Sequence, residues 1–87
     1  MRYLKQHYES IERMCEEINR GGEIEFCYQN KRYSITHVND KICIIEFNNY
    51  KTEVQYDNCY DIINYMIKGK KLKDIFFEIE IVFSCFD

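Results

Sequence analysis

Glu23-Ile-Glu-Phe-Cys-Tyr-Gln-Asn-Lys-Arg-Tyr-Ser-Ile-Thr-His37 is the stretch whose reading decides the fold. Ile24, Phe26 and Tyr28 alternate with Glu23, Glu25, Cys27 and Gln29, and Tyr33, Ile35 and His37 alternate with Arg32, Ser34 and Thr36. A period of two is that of a strand with one buried face. Asn30-Lys31 separates the two runs, and asparagine tolerates the positive φ of a tight hairpin turn, so the stretch predicts two antiparallel strands. A two-residue loop there would set Tyr28 opposite Tyr33, Phe26 opposite Ile35 and Ile24 opposite His37, all on one face.

Towards the C-terminus, Asn39-Asp40 predicts a second tight turn into Lys41-Ile-Cys-Ile-Ile-Glu-Phe47, with Ile42 opposite His37 and Ile44 opposite Ile35. The other face of that strand carries Cys43, Ile45 and Phe47, too apolar to stand free, so it must be covered or the strand must bulge. Asn48–Lys51 predicts a turn and Thr52–Tyr56 a short fourth strand. Asp57 or Asn58 is placed to cap a helix in which Cys59, Ile62, Ile63, Met66 and Ile67 recur at helical spacing until Gly69. A short helix over 71–77 and a final strand over 78–85, with Ile79, Ile81, Phe83 and Cys85 alternating, complete the chain. On the N-terminal side Leu4, Tyr8, Ile11, Cys15 and Ile18 fall on one face of an amphipathic helix over about 1–20, which Gly21-Gly22 ends.

The expected architecture is α+β: an N-terminal amphipathic helix, an antiparallel meander of three or four strands, one or two short helices and a final strand, in a single domain over 1–87. At 87 residues there is room for one core, which excludes a two-domain enzyme, a deep cofactor cleft or a repeat array. Ile, Lys, Tyr, Asn and Phe supply close to half the chain while Ala, Pro and Trp are missing, a bias towards A/T-rich codons. No apolar run approaches the roughly 18 residues of a membrane span, and the first residues lack the apolar core of a signal peptide, so a cytoplasmic protein is expected. The five cysteines, Cys15, Cys27, Cys43, Cys59 and Cys85, form no C-x-x-C pair and are read as reduced structural thiols, with no metal site and no cofactor.

Neither histidine, His7 or His37, has a sequence neighbourhood that suggests a nucleophile and base pair, and no residue is assigned a catalytic role; the chain is read as a non-enzyme. The net charge of −3 is unevenly spread. Glu9, Glu12 and Glu16 would make an acidic stripe on the first helix, with Glu23 and Glu25 following, and these five carboxylates are candidate partner contacts. Eight Tyr and six Phe exceed the needs of one small core, and Tyr3, Tyr50, Tyr60 and Tyr65, left outside or at the rim, join the carboxylates as candidates. Lys68, Lys70, Lys71 and Lys73 cluster around Gly69; without the first glycine and the Ser or Thr of a phosphate loop they are not a nucleotide motif, yet at a helix start they could grip a phosphate backbone.

The stretch Glu23–Ile35, together with Ile67-Lys-Gly-Lys-Lys-Leu-Lys-Asp-Ile75, resembles a group of small phage and prophage proteins of A/T-rich bacteria that share a Y-x-x-K-x-Y-S-I hairpin, a middle helix and a closing G-K-x-L-x-D-I segment. The resemblance covers roughly residues 23–82 and brings no activity with it. In size and charge the chain is also similar to anti-CRISPR proteins. Together these imply a non-enzymatic inhibitor of mobile-element origin, in its most concrete form one that blocks a CRISPR effector nuclease by occupying its nucleic-acid-binding surface. Such a protein would bind a host protein in the host cytoplasm, without a membrane and without direct nucleic-acid binding. The alternatives are a small nucleic-acid-associated regulator that uses the lysine cluster, and an oligomeric structural subunit, a homodimer in the simplest case, joined through Cys43, Ile45 and Phe47.

Overall fold

The computed structural model describes residues 8–85. Its architecture is α+β, with helical segments on one face of a five-stranded antiparallel sheet. The strands are β1 (Glu23–Tyr28), β2 (Lys31–Val38), β3 (Lys41–Glu46), β4 (Asn49–Tyr56) and β7 (Glu80–Cys85), in the order β4-β3-β2-β1-β7. A two-stranded ribbon, β5 (Met66–Ile67) and β6 (Lys70–Lys71), lies between them in the chain.

The first helix is shorter than its apolar spacing predicts. Helix α1 spans Ile11–Asn19, because Ser10 takes the N-cap position with an extended backbone and its hydroxyl accepts from the Arg13 amide. Tyr8 and Glu9 therefore precede the helix, and Leu4 lies outside the described residues. At the other end Gly21, with φ of +100°, donates to the Ile18 carbonyl, and Gly22 donates to that of Glu17. This pair of bonds is a Schellman ending, which satisfies two carbonyls the helix leaves open.

The first hairpin keeps its faces but moves its turn. Gln29 and Asn30 hold the two positive φ angles, 49° and 67°, so Phe26 pairs with Tyr33 and Ile24 with Ile35. The expected register is thus corrected by two residues, a shift that returns each side chain to the same face. The observed register lets the Phe26 and Tyr33 rings stack with centroids 5.2 Å apart. The second turn, Asn39-Asp40, and the pairs His37 with Ile42 and Ile35 with Ile44 are as expected. The third turn is tighter than expected, at Phe47-Asn48, and β4 begins at Asn49. Between Ile44 and Glu46 the β3–β4 ladder bulges, and the Thr52 hydroxyl stitches the gap, accepting from the Glu46 amide and donating to the Asn49 carbonyl.

The second helix is the main departure. Cys59–Asn64 forms a 3-10 helix capped by Asn58, whose side chain accepts from the Tyr60 amide, and the chain then turns into β5 instead of continuing to Ile67. Cys59 and Ile62 are buried at a spacing of three, which a three-residue turn satisfies as well as a 3.6-residue turn does. Gly69, with φ of +82°, serves the β5–β6 turn and does not end a helix. Helix α2 (Leu72–Ile75), a 3-10 turn (Phe76–Glu78) and β7 follow, close to the expected helix and strand.

All these segments bury their apolar side against one face of the sheet. Met14, Cys15 and Ile18 of α1, with Cys59, Ile62, Ile67, Leu72, Ile75 and Phe76, meet Ile24, Phe26, Ile35 and Ile44 in one cluster. Cys15 and Cys59 are joined as a disulfide across a Cα separation of 5.6 Å, which corrects the expectation of reduced thiols at these two positions. Spacing gave no sign of the pair, since 44 residues separate its members. Cys27 and Cys43 are free.

Candidate functional site

A groove of about 370 Å³ opens where the start of α1, the Cys59–Asn64 helix and the α2 region meet. Its lining is Ser10, Ile11 and Glu12 from the cap and first turn of α1, Tyr60 and Ile63 from the 3-10 helix, and Lys73, Phe76 and Phe77 from the last helical segment. The sequence explains how these elements converge. Ile11 and Glu12 are the first two helical residues because Ser10 caps α1, and Tyr60 follows Cys59, whose sulfur is tied to α1. Phe76 is buried, while its neighbour Phe77 is 72% exposed and meets Phe76 edge to face.

The groove is apolar at its base and charged at its rim. Ile11, Ile63 and Phe76 supply the base, and Tyr60, 40% exposed, lines the same groove as Phe77. Glu12 and Lys73 are exposed, and neither forms an ion pair with another described residue. Such an arrangement can seat a bulky apolar side chain and meet both signs of charge around it.

The structure brings some of the expected partner contacts together and separates others. Glu12 and Tyr60 line the groove, and Glu9 is exposed just before its Ser10 wall. Glu16 is exposed on α1 and paired with Arg13 at 3.2 Å. Glu9, Glu12 and Glu16 do not form one helical stripe, because α1 starts at Ile11. Glu23 and Glu25 lie on the opposite side of the molecule, since they alternate with Ile24 and so point away from the helices; Glu25 faces Arg32 at 3.8 Å. Tyr50 is 82% exposed, at the start of the edge strand β4. Tyr65 corrects its expected exposure: it is buried, and its hydroxyl donates to the Thr52 carbonyl at 3.0 Å, because the chain leaves the 3-10 helix there in an extended conformation. Tyr3 lies outside the described residues.

Lys68, Lys70 and Lys71 are exposed on the β5–β6 ribbon and Lys73 on α2. The expected grip through free helix amides loses one of its donors, as the Leu72 amide is committed to the Tyr65 carbonyl at 2.8 Å and α2 has a single turn. The other face of the sheet carries Cys43, Ile45 and Phe47. Arg32 places its guanidinium 5.9 Å above the Phe47 ring, and Phe47 remains half exposed. Burial pushes the Cys43 thiol up to about 11, and the neighbouring Glu53 carboxylate adds to this, so it stays a protonated thiol at neutral pH.

Sequence reasoning missed Ile11, Ile63, Lys73, Phe76 and Phe77 as parts of one groove, although it singled out Lys73 within the basic cluster. The available signal was Phe76-Phe77 itself, two adjacent aromatic residues that stand about 100° apart on a helical turn and so point in different directions. Among the described residues no group of three or more His, Cys, Asp or Glu is placed to hold a metal ion, and no helix is long and apolar enough to cross a membrane. No protein-family model, curated protein or solved structure matches the chain.

Proposed function

We propose that this is a non-catalytic protein-binding domain that acts by occupying a surface of a larger protein, with the groove as its contact site. The observation that carries the reading is Phe77, a phenylalanine 72% exposed in a groove that it lines together with Tyr60, Ile11 and Ile63. Exposed aromatic side chains that flank an apolar depression are the usual anchors of protein contacts, because they bury a large area at a small cost in rotamer entropy. In its finer form the partner is a nucleic-acid-binding host protein, most concretely a CRISPR effector nuclease, and the carboxylates beside the groove enter its basic channel. What supports this form is the exposure of Glu9, Glu12 and Glu16; Glu23 and Glu25, on the opposite side, drop out of it.

A photo-crosslinking phenylalanine analogue at position 77, with the same analogue at position 50 as control, tests the contact site in the source cell. One adduct from position 77, lost when Tyr60→Ala is added, is the expected result. Equal crosslinking from position 50 would remove the groove as the site. Replacing Glu9, Glu12 and Glu16 together by Ala tests the finer form: unchanged partner affinity removes it.

The second reading is nucleic-acid contact through Lys68, Lys70 and Lys71. It is favoured by one observation: three exposed lysines share a short ribbon, and none is paired with a described acid. Binding through them would weaken steeply with salt, with a slope of roughly one per phosphate neutralised. A filter-binding titration that shows no salt-sensitive capture of DNA or RNA would end this reading.

A further inference from the structure

We propose that the Cys15–Cys59 bridge is a redox clamp on the groove. Closed, it holds the α1 wall against the wall formed by the Cys59–Asn64 helix; open, the two walls part while the sheet stays folded. The groove's part in binding rests on the reading above, but its dependence on the bridge does not.

The placement of the bridge supports this. Both cysteines are fully buried, and each belongs to a different wall. Ile11 and Glu12 stand four and three residues before Cys15, one helical turn away on the same side, and Tyr60 is the next residue after Cys59. The bridge therefore lies directly behind the two walls. Neither wall is a strong element by itself. Helix α1 has nine residues, below the length at which an isolated helix is stable in water, and the 3-10 helix has six, with the poorer hydrogen-bond geometry of its class. Met14, Ile18 and Ile62 still attach both to the sheet after reduction, but no covalent link then fixes one against the other. The ladders among β1, β2 and β3 contain neither cysteine of the pair.

The chemistry is thiol–disulfide exchange, which reaches these fully buried sulfurs only when the short α1 or 3-10 segment opens locally. The thiolate of one cysteine attacks a small-molecule disulfide, forms a mixed disulfide and releases one thiol. The thiolate of the second cysteine then attacks the protein sulfur of that mixed disulfide and releases the second thiol. The two protein thiols are oxidised, the small disulfide is reduced, and the two protons end on the released thiols. A dithiol such as dithiothreitol drives the reverse.

Amide hydrogen exchange on the full chain, oxidised and after dithiothreitol, is the test. Reduction is expected to speed exchange in 11–19 and 59–64 at least tenfold more than in 23–28, 31–38 and 41–46, and a Cys15→Ser/Cys59→Ser variant is expected to match the reduced protein. Equal acceleration of helices and sheet, or unfolding of the reduced wild type, would make the bridge a plain staple and overturn the clamp; no change anywhere would overturn it as well. If the double variant does not fold, the reduced wild type decides alone. The crosslink from position 77 separates the two proposals. Its loss on reduction supports both, whereas an unchanged crosslink with a loosened groove keeps the clamp and removes the groove as the contact site.

Discussion

The imidazole of His37 donates from Nε2 to the carbonyl oxygen of Ile18 at 2.8 Å and shares that donor with the Gly22 carbonyl at 3.1 Å. Both partners are acceptors, so the proton must reside on Nε2. One side chain from β2 thus ties the end of α1 to the loop that enters β1. That bond satisfies two half-buried backbone carbonyls. His37→Phe keeps the bulk and leaves the carbonyls short of a donor, which costs about 1–2 kcal/mol. For a domain of this size Tm should fall by roughly 4–8 °C per kcal/mol. His37→Gln, which can still offer an N–H, should recover part of the loss in a thermal melt, and a melt unchanged by His37→Phe would refute the tie.

Alkaline pH should destabilise the fold. Burial, followed by the charge of Glu46, pushes the Tyr33 hydroxyl from 10.0 up to about 12, and the Cys43 thiol moves from 9.0 to about 11. Tyr8 moves in the same direction through burial and its hydrogen bond to Glu17. In each case the unfolded chain loses its proton first as pH rises. The stability these groups contribute is complete below their unfolded values and is lost as pH climbs through their folded values. Urea midpoints should therefore be level up to about pH 9 and decline between about pH 9 and 12. Cys43→Ser should remove the earliest part of that decline, and a midpoint that rises over this interval would contradict the assignment.

The parts of the fold that were legible in the sequence are those where side-chain period alone decides. Ile24, Phe26 and Tyr28 against Tyr33 and Ile35 could lie only in a hairpin with one buried face, and Asn39-Asp40 set the register of the next pair. Register in the first hairpin was not legible, because a slip of two residues leaves every face unchanged; ring stacking of Phe26 on Tyr33 accompanies the observed choice. The 3-10 helix was misread since Cys59 and Ile62 satisfy either helical period. Tyr65 was misplaced for the same reason: an α-helix continued past Asn64 would turn it outwards, whereas the extended chain turns it to Thr52. The disulfide and the groove share a deeper cause. Cys15 reaches Cys59, and Ile11 comes to line one groove with Phe77, only after the sheet has folded the chain back on itself, and no local pattern encodes such distant pairs.

Gly21 isolates a purely conformational contribution. Its φ is +100°, and a Cβ built there would meet nothing within 4 Å. Any loss in Gly21→Ala therefore comes from backbone strain at the end of α1 and not from a clash. A cost of about 1–2 kcal/mol is expected, from the steric penalty of an L-residue in the left-handed region. Gly21→Asn should cost less, since asparagine tolerates that region. Equal losses for the two variants in denaturant titrations would show that some contact, and not φ, sets the requirement.

Phe76 and Phe77 supply an internal control for the groove. They are the same residue type, adjacent in the chain, with ring centroids 5.3 Å apart, but Phe76 is 4% exposed and Phe77 is 72% exposed. Phe76→Ala removes a buried ring and leaves a cavity, at a cost of about 3–5 kcal/mol. Phe77→Ala removes a ring already in water and should change stability by no more than about 0.5 kcal/mol. If the exposed ring is held for a partner, Phe77→Ala will weaken partner capture at least tenfold while leaving the denaturation midpoint in place, and Lys73→Glu will act in the same direction from the rim. Should Phe77→Ala instead lower stability by several kcal/mol without changing capture, the ring belongs to the core and the groove is not the contact site.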